Sequence, residues 1–307
     1  MAIRNKSPFP YMGSKQRVAA DVWTALGNVT RYIEPFFGSG AVLLNRPAEH
    51  VFKSEIVNDL DGYVCNFWRA VQADPEGVAA YLDGGPICEL DRWARNEHLM
   101  RTREEFTASI VADPRWFDCE VAAWWAWGVS VSIGDAWGKQ KRSGLDVGGN
   151  APRAWKGTLH PDRQPASEYL ATLAKRLRGV AVMSGCWSRA LTNTYSKPHG
   201  SATVGVFLDP PYSAKVTTEK DHYAASEECV SDAVRAWALE HGAHPQMRIV
   251  LCGMGEEHAA LEAQGWRVQS WSKSNTFGRT ATRKAERIWY SPYCLGDEVD
   301  LFSQGSK

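Results

Sequence analysis

No two of the seven cysteines form a CxxC pair; Cys65, Cys88, Cys119, Cys186, Cys229, Cys252 and Cys294 stand singly. That spacing argues against a structural zinc site, and an odd count argues against a disulfide framework, so reduced thiols are expected. Long apolar runs are missing too. The longest uncharged stretch, from Val121 to Gly134, is too short to span a bilayer and reads as a buried helix. No apolar segment follows the opening Met1-Ala2-Ile3-Arg4-Asn5-Lys6-Ser7-Pro8, so no secretory signal is expected and the cytoplasm is the expected compartment. Net charge is absent: Lys+Arg and Asp+Glu number 35 each. That balance argues against a uniformly basic nucleic-acid coat and leaves local patches open. There is no internal repeat. What the 307 residues do contain is 44% hydrophobic and 11% aromatic side chains, with 14 Trp. This composition excludes disorder and collagen-like repeats, and the length allows one elaborated domain or two.

From Thr30 the pattern runs strand, turn, helix, strand: Arg31–Glu34, then Pro35 to Gly40, then Ala41–Leu44, then Val51 to Val57. This is how a parallel α/β sheet begins. The rhythm resumes later. Val180–Met183 and Val204–Leu208 read as buried strands, Ser226 as the cap of a helix stopped by Gly242, and Ile249–Cys252 as the next strand. A helix over Glu256–Gln264 with a stop at Gly265 follows, then a last strand pair at Trp266–Trp271 and Arg287–Tyr290. Residues from about 72 to 127 read as helices carrying Trp93, Trp116, Trp124, Trp125 and Trp127, which are expected in the core. Residues 134–165 are rich in Gly, Pro, Lys and Arg and too poor in apolar residues for a core, and a stretch of that kind is expected to be functional or mobile. The expected organisation is therefore 1–70, an insertion at 71–170, and 171–307.

Two motifs carry chemistry. Glu34-Pro35-Phe36-Phe37-Gly38-Ser39-Gly40 lies between a strand and a helix, where glycines let a ligand approach the backbone at the C-terminal edge of an open sheet. Asn58-Asp59 closes the next strand about 20–25 residues on, where a carboxylate typically holds ribose hydroxyls; Asp61 is a rival for that role. The pair points to a nucleoside-containing cofactor. The second motif, Asp209-Pro210-Pro211-Tyr212, follows the Phe207-Leu208 strand end. Proline donates nothing to a ladder, so Pro210-Pro211 ends the strand rigidly and leaves the Pro210 carbonyl as a fixed acceptor beside the Asp209 carboxylate. Two acceptors and the Tyr212 ring suit a planar exocyclic amine. Hydrogen bonds to both its hydrogens draw the nitrogen lone pair out of conjugation and make it nucleophilic.

Tyr11-Met12-Gly13-Ser14-Lys15, Glu34 to Gly40, Asn58-Asp59 and Asp209 to Tyr212, in that order, resemble the Dam-like family of DNA N6-adenine methyltransferases in its alpha arrangement. Glu286 to Tyr293 is similar to the closing strand of its phage and prophage members. The resemblance implies a Rossmann-like α/β sheet with a reversed seventh strand, an inserted, mainly helical target-recognition domain, S-adenosylmethionine as methyl donor, and no metal. By that resemblance Glu34, Phe36, Phe37, Gly38 and Gly40 would line the cofactor, Asp59 would hold its ribose, and Tyr11 and Lys15 would contact it. Asp209 and the Pro210 carbonyl would hold the adenine amine and Tyr212 would stack on the base. Family members often place an acidic residue where Ser184-Gly185-Cys186-Trp187 has Cys186; Trp187 is then the expected packing partner of the cofactor's adenine.

Double-stranded DNA is the implied partner, and charge resolved along the chain supplies candidate contacts. Between 137 and 178, Lys139, Lys141, Arg142, Arg153, Lys156, Arg163, Lys175, Arg176 and Arg178 face only Asp146, Asp162 and Glu168. Arg267, Lys273, Arg279, Arg283, Lys284 and Arg287 form a second cluster against Glu286. Such clusters bind phosphates in a salt-dependent way. Trp137 and Trp155, set among glycines and cations, are the candidates for base stacking, and Ser213–Tyr223 is expected to order with DNA. Transfer to N4 of cytosine is the neighbouring alternative, with Asp209 at the head of the tetrapeptide favouring adenine by resemblance. Methylation of a protein glutamine or of RNA, and a non-catalytic DNA-binding relative, are further alternatives.

Overall fold

The structure is a computed structural model and describes residues 6–11, 13–82, 89–131, 137–138, 165–212, 224–271 and 286–296. The helices are α1 (Ala19–Leu26), α2 (Ala41–Leu44), α3 (Gly62–Ala73), α4 (Pro75–Leu82), α5 (Glu89–Ala112), α6 (Cys119–Val131), α7 (Ala166–Arg176), α8 (Asn193–Ser196) and α9 (Ala224–His241). The strands are β1 (Arg31–Glu34), β2 (Ser54–Asp59), β3 (Val180–Ser184), β4 (Val204–Leu208), β5 (Met247–Met254), β6 (Arg267–Trp271) and β7 (Glu286–Tyr290). They form a seven-stranded sheet in the order β3-β2-β1-β4-β5-β7-β6. β4 runs parallel to β1 and to β5, while β7 runs antiparallel to both β5 and β6. The mixed α/β class and the reversed strand are as the resemblance implied.

The residues gather into two compact units, one of 1–19, 37–46 and 56–190 and the other of 20–36, 47–55 and 191–307. The stretch 71–170 falls wholly within the first. There, Asp61 caps α3, its carboxylate accepting from the Tyr63 amide at 3.0 Å. Nearly every α3 side chain is buried, and α6 is apolar around most of its circumference, as a helix enclosed by others must be. Phe9 anchors the aromatic core, its ring 5.1 Å from Phe67 and 4.9 Å from Trp125. Arg69 is buried and its guanidinium donates to the carbonyls of Ile110, Asp113 and Val182.

In the second unit, all five residues of β4 are buried, which explains its unbroken apolar run between β1 and β5. Trp23 packs on Tyr32 at 4.7 Å, and His258 on Trp289 at 5.2 Å. Two local expectations are corrected. The helix expected at Glu256–Gln264 is a 3-10 turn over Ala259–Gln264, ended by Gly265 at φ 81°. α9 begins at Ala224, so Ser226 lies inside it rather than capping it. Among the described residues, no helix is long and apolar enough to cross a membrane.

Candidate active site

The first motif turns on two glycines. Gly38 and Gly40 have φ of 47° and 66°, a region that side chains with a Cβ rarely enter. Their surroundings are equally restrictive: a Cβ on Gly38 would lie 2.7 Å from the Tyr11 ring, and one on Gly40 would lie 2.9 Å from Phe37. The turn is pinned from outside as well, since the Trp68 indole donates to the Gly38 carbonyl at 2.9 Å and the Phe37 amide to the Asn58 carbonyl at 2.9 Å.

Asp59 closes β2 beside this turn. One carboxylate oxygen accepts from the Gly38 amide at 2.8 Å and the other from the Asp61 amide at 2.9 Å. Burial pushes the carboxyl up to about 6, against which these amide donors act. The Ser184–Trp187 turn meets the same strand end: the Gly185 amide donates to the Asp59 carbonyl at 2.9 Å and the Asn58 amide group to the Gly185 carbonyl at 2.9 Å. Cys186 is exposed and 3.2 Å from the Ser188 hydroxyl, and Trp187 is half-buried. The N-terminal motif arrives too, with the Ser14 and Ser39 hydroxyls 3.3 Å apart. Tyr11, Phe37, Gly38, Gly40, Asp59 and the turn bearing Trp187 thus belong to one constellation in the first unit.

Several placements refine the sequence reading. Lys15 is buried and donates to the Gly13 carbonyl at 2.7 Å, which rules out a plain surface charge. Phe37 is buried against Trp68 at 4.9 Å, whereas Phe36 is half-buried. Glu34 is buried and accepts from the Tyr32 hydroxyl at 2.9 Å. Asp61 combines its cap with an ion pair to Arg103 at 3.5 Å.

In the second unit, Asp209 directly follows β4, so the Asp-Pro-Pro-Tyr tetrapeptide sits at the C-terminal end of a parallel strand whose last residue, Leu208, pairs with Leu251. Asp209 and Tyr212 are half-buried, Pro210 is buried and Pro211 is exposed. Burial, reinforced by negative charge at Asp209, pushes the Tyr212 phenol far above its ordinary value. Tyr212 therefore stays a neutral ring at any physiological pH.

Trp137 departs from expectation. It is only 7% exposed and seats its indole on Gly128, with its ring edge-on to Trp127 at 5.8 Å. That is a packing role, not a free stacking surface. Trp93, expected in the core, is 58% exposed. Lys139, Lys141, Arg142, Arg153, Lys156 and Trp155 lie outside the described residues, as do Ser213–Tyr223 and most of the second basic cluster. Sequence reading missed Trp68 and Arg103, and it missed the partner of Asn58; their only signal is long-range partnership, which no spacing reveals. Among the described residues, no group of His, Cys, Asp and Glu is placed to hold a metal ion.

An 82-residue stretch is 30% identical to the Type II methyltransferase M.MjaIII of Methanocaldococcus jannaschii, covering 26% of this chain and 28% of the relative. The chain thus spans little more than a quarter of the length of the curated relative it matches. Residues 11–112, which hold Tyr11, the Gly38–Gly40 turn and the Asp59–Asp61 carboxylates, match the model of the D12 class N6 adenine-specific DNA methyltransferase family, and the Dam-like resemblance is borne out over that stretch.

Proposed function

We propose that this chain is a cytoplasmic DNA methyltransferase that moves the methyl group of S-adenosylmethionine to N6 of an adenine extruded from double-stranded DNA. The observation that carries the reading is the Asp209–Tyr212 tetrapeptide at the C-terminal end of buried strand β4, in a chain whose residues 11–112 match the D12 class. The residues present suit the donor. A carboxylate offers about four lone-pair sites; the Gly38, Asp61 and Leu60 amides all act on Asp59, which leaves it acceptor capacity for a ribose hydroxyl. In the same unit the rings of Tyr11 and Trp187 are half-buried, and packing of the donor against them is part of the reading.

Extruding the base costs a few kcal/mol, which contacts in the pocket must offset. The Asp209 carboxylate and the Pro210 carbonyl each accept one hydrogen of the adenine amine, and the neutral Tyr212 ring stacks on the base. S-adenosylmethionine supplies an electrophilic methyl on a sulfonium. The amine lone pair forms the new N–C bond as the S–C bond breaks, and the surplus proton leaves through the acceptors to solvent. Rate enhancement then comes from alignment and from fixed acceptors that need no reorganisation. Phosphate contacts fall to Lys139, Lys141, Arg142, Arg153 and Lys156. Incubating unmethylated plasmid DNA with labelled S-adenosylmethionine and digesting it to nucleosides tests the reading. Label in N6-methyl-2′-deoxyadenosine supports it; label in N4-methyl-2′-deoxycytidine, or none in DNA, overturns it.

A further inference from the structure

α3 touches both the glycine turn and the carboxylate beside it. Asp61, its cap, donates its amide to one Asp59 oxygen at 2.9 Å. Trp68, about two helical turns along, is fully buried and donates its indole N–H to the Gly38 carbonyl at 2.9 Å. Gly38 is thereby held on both sides. Its amide donates to the other Asp59 oxygen at 2.8 Å, which fixes the peptide plane before it, and the indole fixes the plane after it. Gly40 meets the same ring, since a Cβ there would lie 3.0 Å from Trp68 Cζ2 and 3.1 Å from Cη2. The indole is itself wedged by Phe37 at 4.9 Å and Phe67 at 5.2 Å. Most buried indoles find some acceptor. Here the acceptor belongs to the residue whose amide supports Asp59, and that residue is a glycine at φ 47°, able to rotate once released.

We propose that Trp68 is a positioning residue for the methyl donor: its indole holds the Gly38–Gly40 turn in the conformation that aims the Gly38 amide at Asp59, and so sets the donor's affinity. The inference rests on the donor site proposed above. Without the indole N–H, the Gly38 peptide samples orientations in which its amide leaves Asp59. The donor then binds only the fraction of molecules with the turn in place, and its apparent dissociation constant rises by the reciprocal of that fraction. The charge on Asp59 follows. Burial disfavours its ionised form, and the amides of Asp61, Gly38 and Leu60 oppose that burial, so losing the Gly38 amide makes the carboxylate harder to form. The ionisable neighbours of Asp59 are Asp61, Cys65 and, through Asp61, Arg103, and all are retained in the variants below.

The test uses the full chain and sinefungin, an unreactive analogue of S-adenosylmethionine. Its dissociation constant is measured calorimetrically at pH values on both sides of the Asp59 value of about 6. In the wild type, binding is expected to weaken as acidification protonates Asp59. Trp68→Phe loses the N–H and the outer ring edge, and is expected to bind sinefungin about ten-fold more weakly at neutral pH. Its loss of binding on acidification is expected to begin at higher pH than in the wild type. Replacing Trp68 by 3-benzothienylalanine through amber suppression keeps the bicyclic shape and removes only the N–H. It preserves the packing even if Trp68→Phe fails to fold, and the same two changes are expected. Trp125→Phe trims an equally large ring that packs on Phe9 rather than on the turn. It is expected to lower stability in urea with the sinefungin constant and its pH midpoint unchanged. Wild-type affinity and pH midpoint in the folded Trp68 variants, or the same weakening in Trp125→Phe, overturns the positioning role. A wild type that does not bind sinefungin overturns the donor site, and the proposed function with it.

Discussion

Gly128→Ala separates helix propensity from packing by the sign of its effect. Gly128 lies inside α6, where replacing glycine by alanine ordinarily stabilises a helix by about 1 kcal/mol. Here the new Cβ would fall 1.7 Å from Trp137 Cε2 and 2.0 Å from Cζ2. No rotation of a methyl relieves that overlap, so the indole must leave its seat. Removing a buried tryptophan from its contacts costs about 3–5 kcal/mol, and Trp137 is only 7% exposed. Setting the propensity gain against that loss leaves a destabilisation of roughly 2–4 kcal/mol. Urea unfolding at matched m-values reads it, and the tryptophan emission should shift to the red as the ring enters water. In a Trp137→Ala background the obstacle is gone, so adding Gly128→Ala should stabilise by about 1 kcal/mol. A Gly128→Ala single variant as stable as wild type, or equal effects in the two backgrounds, would refute the seating of Trp137 on Gly128.

Asp209→Ala should lower methyl transfer to plasmid DNA by at least about 10²-fold while leaving the sinefungin dissociation constant within about threefold; near-normal turnover would sink the assignment of Asp209. For Asp59 the folded value of about 6 lies above the ordinary 3.8. Its contribution to stability is therefore full below pH 4 and lost as pH rises through 6. The stability of the wild type relative to Asp59→Asn should fall by on the order of 2–3 kcal/mol between pH 4 and 7; a flat difference in urea unfolding would count against a desolvated carboxyl. His258 behaves oppositely in pH. Burial lowers it from 6.5 to about 4, opposed by the charge of Glu257 and aided by that of Arg235. Stability present above pH 6.5 is lost as pH falls toward 4, by on the order of 3 kcal/mol relative to His258→Phe. Parallel pH–stability curves for the two proteins would show the ring to be solvated. Neutralising Lys139, Lys141 and Arg142 together should reduce the slope of log affinity for DNA against log salt by about 2–3, and an unchanged slope would remove them from the interface.

The parts visible in the sequence share one physical property: they are set by neighbours along the chain. β4 announces itself because Val204 to Leu208 is buried on both faces, so no polar residue interrupts it. The Gly38–Gly40 turn is visible because left-handed φ excludes other residues there. What escaped was set by partners far away in sequence. Asn58 meets Gly185 across 127 positions, and Arg103 meets Gly138 across 35. Neither pairing leaves a period or a motif. The tryptophans make the same point. Trp137, among glycines and cations, reads as exposed, yet it is buried because Gly128 on another element leaves it a notch. Trp93, on a helix, reads as core, yet 58% of it is exposed. A large aromatic ring takes its burial from what stands opposite, and local composition carries no record of that. The same reasoning tells the two phenylalanines of the first motif apart: Phe37 is buried against Trp68 while Phe36 is half-buried. Exposure on one side of a turn and burial on the other is thus decided by which ring finds an indole opposite it, and neighbours along the chain do not record that.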